Sequence, residues 1–257
     1  MKKSFILFIL LFVSSVNAQT FKYSVEVQYK QEVKIQDDIA SRSYSLFLNE
    51  NTSLYEEQVV LNKSTDFVTD DKGNKTRSLY FNEEVPTYCF YDFKNKKAYF
   101  KEHIVNSIYA VNDVYEDIKW VLKDDTKKIG KYTCNKAVGV FRGRVYTAWY
   151  TDDVPTKCGP WKLNGLKGLI LEAYDAEGVF KVSALTIIHF KVHKDLTKKI
   201  QKIQKEKKLT LKKYIEKWKN RHVETNAYLN SKLPKGAKPF VLDLKELKKI
   251  KELEIFK

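Results

Sequence analysis

Four carboxylates crowd one stretch of the sequence: Asp152 and Asp153 stand before a glycine-rich run, and Glu172 and Asp175 follow it. Paired carboxylates hydrolyse glycosidic bonds when one protonates the leaving group and the other activates water. Carboxylates beside turns are far more often caps or solvated charges, and among 32 acidic residues some such pairing arises by chance. His189 and His193 lie four apart, a spacing that on a helix would place two imidazoles side by side. The surrounding Ile187 to Val192 reads as a strand, however, which separates them by about 13 Å and leaves no third ligand nearby. Asp70-Asp71-Lys72-Gly73-Asn74 is a turn too short for a calcium loop. The chain also has no G-x-S-x-G elbow, P-loop, dinucleotide glycine set or H-E-x-x-H. These readings predict a non-enzymatic protein with no catalytic residue, cofactor or metal, and leave a hydrolase using Asp153 and Glu172 as the outside alternative.

Cys89, Cys134 and Cys158 are the three thiols of the chain, an odd number. Arg142-Gly143 reads as a hairpin tip, which places Cys134 at the far end of its strand, beside the departure of the loop that carries Cys158. That arrangement predicts a Cys134–Cys158 disulfide, which would contribute about 3 to 4 kcal/mol through loop-closure entropy. Cys89, between Tyr88 and Phe90, reads as a buried free thiol. No histidine is tied to any of the three by sequence, so a thiol nucleophile lacks its base.

Residues 144–175 hold the least generic pattern. Trp149 and Tyr150 close one strand-like run, Gly159, Pro160 and Trp161 follow in a short loop, and Gly165, Leu166, Gly168, Leu169 and Ile170 lead into the next apolar run. Asn164-Gly165 supplies a position for positive φ, and Pro155 and Pro160 stiffen the approach. Two readings stand: a ligand mouth lined by Trp149 and Trp161, or a structural corner with tryptophan packed as core. The pattern resembles the hallmark of the GLPGLI family, secreted proteins of the Bacteroidetes, over roughly residues 119–190. Lys167 departs from that pattern, since the family usually has proline there, and its absence makes the turn less rigid. The resemblance implies an exported β-rich protein and names no activity.

Around these residues the body is built of strands. Phe21, Tyr23, Val25, Val27 and Tyr29 alternate with Lys22, Ser24, Glu26, Gln28 and Lys30, so one face is apolar and the other polar. Further strands are predicted at 42–48, 54–61, 77–81, 87–92, 97–103, 118–122, 131–141, 144–151, 168–174 and 179–192, joined by short turns. Strands in such succession favour an antiparallel meander, and one with this many strands must curl to bury a face. The predicted fold is mainly β, a curved antiparallel sheet or partial barrel, followed by C-terminal helices.

Charge divides the chain. From Lys191 onward there are 21 basic against 8 acidic residues, whereas 19–190 holds 24 of each. Leu196, Ile200, Ile203, Leu211, Tyr214, Ile215 and Trp218 recur at threes and fours, which predicts an amphipathic helix over 194–222 interrupted at Lys207. A second helix is predicted from Leu242 to Ile255. Lys2-Lys3, the apolar run from Phe5 to Val13 and Val16-Asn17-Ala18 form an export signal. The domain reading is thus a signal over 1–18, a β domain over 19–192 and a basic helical extension over 193–257. It places the protein in the periplasm, at the outer membrane or outside the cell. An apolar ligand in the curved sheet is the first expected role. The alternative is an adaptor meeting an anionic membrane, lipopolysaccharide or another envelope protein through 194–257; nucleic acid is not expected.

Overall fold

The computed structural model describes residues 19–35, 38–59, 67–69, 75–77, 85–104, 107–234, 236–239, 241 and 254–255. The expected export signal, the turn at Asp70 to Asn74 and the second tail helix up to Leu253 lie outside the described residues. The elements in chain order are β1 (Lys22–Ile35), β2 (Asp38–Leu48), β3 (Thr52–Glu57), β4 (Phe67–Thr69), β5 (Lys75–Arg77), β6 (Tyr88–Asp92), β7 (Lys97–Ile104) and β8 (Ser107–Asp113). They continue with β9 (Trp120–Ile129), β10 (Tyr132–Phe141), β11 (Arg144–Pro155), β12 (Gly168–Asp175), β13 (Phe180–Asp195), α1 (Thr197–Lys205), β14 (Leu209–Thr210), α2 (Leu211–Lys219) and α3 (Arg221–Ser231).

Twelve strands form one curved, unclosed sheet in the order β14-β8-β7-β6-β3-β2-β1-β13-β12-β11-β10-β9, while β4 and β5 pair only with each other. Every pair is antiparallel except β14 with β8. The long pairing of β1 with β13 joins two meanders, one on each side. Alternation in β1 holds from Val25 to Tyr29, where Val25, Val27 and Tyr29 are buried in the main core and Gln28 and Lys30 are exposed. The single apolar face expected from Phe21 is corrected, because a register shift between Tyr23 and Val25 turns Phe21 and Tyr23 into a cluster on the opposite face. Glu26 is buried there too and accepts from Ser45 at 2.7 Å. Arg142 and Gly143, at φ 44° and 79°, make the two-residue β10–β11 turn.

The main core covers one face of the sheet from β8 to β10, with Tyr29, Tyr44, Tyr55, Phe100 and Tyr146 among its large members. A second cluster on the opposite face of β2, β3, β6 and β7 is roofed by Ile200 and Ile203 of α1. Curvature brings the two flanks together without β pairing, because Arg142 at the β10–β11 tip reaches Asp113 at the end of β8, 2.5 Å away.

Structure and expectation differ at two further places. The tail helix breaks at Lys207 as the sequence predicts, but it starts only at Thr197, because β13 runs on to Asp195. The break also holds a strand: the chain extends at Glu206, adds β14 beside Val111 and Asn112 of β8, and restarts as α2. Lys208 causes part of this stop, since its ammonium donates to the carbonyls of Ile203, Gln204 and Glu206, which end α1. The Cys134–Cys158 disulfide is also absent, for all three thiols are free and buried. β11 runs on to Pro155 and carries the loop to the β2–β3 turn, where the Cys158 thiol faces the carbonyls of Asn49 and Thr52 at 3.6 and 3.9 Å. Cys134 stays on β10, 3.9 Å from the carbonyl of Tyr132. Burial pushes the Cys158 thiol up to about 11, against the thiolate.

Candidate functional site

The loop from Thr156 to Lys167 folds into the covered face as a plug. Leu163 donates to the Pro160 carbonyl at 3.0 Å and Gly165 to that of Lys157 at 2.9 Å, closing a tight turn in which Trp161 takes φ 52° and Gly165 φ 100°. Gly159 passes so close to the Leu163 carbonyl oxygen that an added Cβ would lie 1.7 Å from it. The Asn164 side chain accepts from the Gly159 N–H at 2.9 Å, and its carbonyl accepts from the Trp120 indole at 2.9 Å. Trp161 packs among Phe141, Tyr146 and Phe180, with ring centres 5.0 to 6.1 Å apart. Leu166, Leu169 and Ile170 are buried beside it, Tyr150 pairs with Ile170 across β11–β12, and Gly168 opens β12 opposite Pro155. Pro160 is buried as well. Of the sequence candidates, all but Trp149 are therefore gathered into this packed corner.

The plug also carries Lys162, whose side chain is 1 % exposed. Its ammonium lies 3.7 Å above the Phe100 ring, 2.6 Å from Glu254 Oε2 and 3.4 Å from Glu102 Oε1. Glu254 Oε1 accepts from Arg142 at 2.5 Å, and the Tyr214 hydroxyl donates to Glu102 Oε2 at 3.0 Å. Burial opposes the charge on Lys162, but Glu102, Glu254 and Asp113 outweigh it and raise its pKa. Burial likewise opposes ionisation of Glu254, and Lys162 and Arg142 overcome it. The sequence signalled nothing of this network, because its members come from six separate segments of the chain.

Trp149 lies elsewhere. It pairs across the strands with Lys136 on one side and Glu172 on the other, and the ammonium groups of Lys127 and Lys136 stand 4.5 and 5.8 Å from its ring centre. Its indole N–H is buried without a hydrogen-bond partner. Lys127 also donates to Glu172 at 2.6 Å. Beside Glu172 a cleft of about 440 Å³ opens between the β1–β2 and β12–β13 hairpins, lined by Glu32, Lys34, Ile39, Tyr174 and Lys181 among others. Register puts Tyr174 opposite Lys181 and Lys181 opposite Glu32, one cross-strand row on a single face. Asp175 fixes the adjoining turn by accepting from Val179 and Phe180 N–H, each at 2.7 Å, and from Arg144 at 2.9 Å. An aromatic ring flanked by carboxylates and ammoniums suits a hydroxyl-rich ligand, which needs acceptors, donors and one flat apolar surface. Asp153, the other half of the carboxylate pair weighed from sequence, is exposed on β11.

Among the described residues, no group of three or more His, Cys, Asp or Glu is placed to hold a metal. The apolar sides of α1 and α2 turn toward the sheet, burying Ile200, Ile203 and Tyr214, and Lys198, Lys202 and Lys205 face solvent.

The family model described as N-glycanase peptide, N-terminal domain, matches residues 83–213, just over half of the chain. Two solved structures of PNGF-II, in space groups C2 and P21, share the fold. They are 19 and 18 % identical, cover 78 % of this chain, and superpose with TM-scores of 0.50 and 0.51. The chain spans about a third of their length, 33 and 34 %. Among curated proteins none matches it. The expectation of a non-enzymatic protein is corrected by the family match, since the matching model describes a domain of N-glycanases, which are enzymes. Short catalytic signatures gave no sign of this; the match extends over residues 83–213, from β6 to α2.

Proposed function

The chain belongs to the N-glycanase peptide, N-terminal domain family, and on that footing we propose that it serves N-glycan release by holding the sugar of the glycoprotein in the cleft beside Tyr174. The observation that carries this reading is the row Tyr174, Lys181 and Glu32 along a cleft of about 440 Å³, a volume within the range of small-ligand sites. Stacked on the Tyr174 ring, the C–H face of a pyranose loses contact with water. Glu32 and Glu172 accept from its hydroxyls, and Lys34 and Lys181 donate to its oxygens. An exported protein would meet such substrates, in keeping with the leader-like residues at the N-terminus.

The test is titration of the full-length protein with a released N-glycan and with its N,N′-diacetylchitobiose core, followed by NMR. Saturable binding weakened at least tenfold by Tyr174→Ala and retained by Tyr174→Phe is the expected result. Binding indifferent to Tyr174→Ala, or no saturable binding by either sugar, would overturn the assignment.

A further inference from the structure

β13 does not run straight into α1. Between the pairs Tyr23–Lys194 and Val25–His189, one residue of β1, Ser24, faces four of β13, Phe190 to His193. We propose that this bulge and the lysine face of α1 form a docking surface for an anionic lipid membrane, with Val192 entering the headgroup layer and Lys198, Lys202 and Lys205 meeting the phosphates. The inference stands apart from the sugar cleft and does not depend on it.

The bulge is held at both ends. Phe190 packs against the cluster that α1 roofs, and the Lys194 ammonium lies 4.3 Å from the Phe47 ring centre and 3.4 Å from Glu26 Oε2. Between them Lys191, Val192 and His193 are exposed. Val192, at 85 %, is the most exposed large hydrophobic side chain among the described residues. α1 opens just after β13 ends, and Ile200 and Ile203 turn it toward the sheet. Lys198, Lys202 and Lys205 therefore share its outer face over about 10 Å. From Lys191 to Lys208 there are eight lysines against two carboxylates. Both carboxylates are engaged within the fold, Asp195 by the Thr197 N–H at 2.8 Å and Glu206 by Lys101 at 2.6 Å. A charge this one-sided fits an anionic surface. An apolar tip beside lysines fits a lipid one, since a soluble polyanion offers Val192 no apolar layer to enter.

Co-sedimentation of the full-length protein with vesicles tests the proposal. Phosphatidylcholine vesicles with roughly one-third phosphatidylglycerol should bind it, pure phosphatidylcholine should not, and salt at about 0.5 M should release it. A lysine near an anionic surface strengthens binding roughly fivefold, so Lys198→Gln, Lys202→Gln and Lys205→Gln combined should weaken it by about tenfold or more. Removing as many charges from the other flank, by Lys119→Gln, Lys123→Gln and Lys128→Gln at exposed positions, should change it by less than about twofold. Val192→Asn, which keeps the charge, should weaken vesicle binding by about threefold or more and leave binding to heparin unchanged. Lipid A vesicles in place of phosphatidylglycerol distinguish the two sources of lipid phosphate. Binding to either supports the surface, and the tighter one identifies the source. No binding to either anionic lipid, an equal loss in both triple variants, or vesicle binding indifferent to Val192→Asn overturns it, and heparin bound without vesicles assigns the lysines to a soluble polyanion instead.

Discussion

The two flanks of the sheet are finished differently. Strands β2, β3, β6 and β7 are covered twice, by the plug and main core on one face and by α1 on the other, so Phe47, Leu54, Tyr88 and Phe90 are as buried as Tyr44 and Tyr55. Among the described residues, strands β9 to β11 are covered once. Val121, Val140 and Val145 stand on their open face, 56, 65 and 44 % exposed, and among the described strands β9 is the edge, with exposed Lys123, Asp124, Asp125 and Lys128 along it. Charges along an edge discourage pairing with another sheet. The difference teaches that the described helices are spent on one flank, and that the covered face holds both flanks through the plug and its ion network.

That contrast is open to direct attack. The largest loss is expected from Lys162→Met, which removes the ammonium shared by Glu254 and Glu102 and leaves the buried Glu254 with Arg142 as its remaining cation partner among the described residues. Removing one partner of a buried pair costs about 3–5 kcal/mol, read from the urea midpoint. Next comes Ile200→Ala under the α1 roof, at about 2–5 kcal/mol, because the side chain is fully buried. Val140→Thr and Val145→Thr, on the bare face, should stay within about 0.5 kcal/mol. If they cost as much as Ile200→Ala, the bare face is covered in solution.

The ion network also predicts a pH response. Glu254 is held below its ordinary 4.5 in the folded chain, so its contribution is complete above that value and is lost as pH falls through the folded one. Lys162 is held above 10.5, so its contribution is complete below that value and is lost as pH rises through the folded one. An acid limb of the stability curve that persists unchanged in Glu254→Gln would remove Glu254 as its source. The smallest effect concerns the thiols: a reductant should leave Tm unchanged, and thiol titration should find three groups after unfolding and essentially none before, as their burial requires.

Much of the sheet is legible in the sequence where one face is buried and the other wet. β1 shows it in alternation from Val25 to Tyr29, and the β10–β11 turn shows it in Arg142-Gly143. β8 escaped, because its buried residues Ala110, Val111 and Asp113 do not alternate by hydrophobicity. β9 was read only to Leu122, because an edge strand exposed on both faces carries the charges of a loop. The plug was legible as a corner from its glycines and prolines, but the partners of Trp161 and Lys162 were not.

By itself the sequence determined the fold class, the positions of most strands, the position for positive φ at Gly165 and the separation of a neutral body from a basic tail. Each of these follows from the spacing of neighbouring side chains. Tertiary structure alone decided that Cys134 and Cys158 lie on different parts of the sheet, that Tyr174, Lys181 and Glu32 form one row, and that Glu254 closes on Lys162 and Arg142. The physical reason is that these contacts depend on strand register and sheet curvature, which are summed over the whole molecule and leave no mark at any single position of the chain.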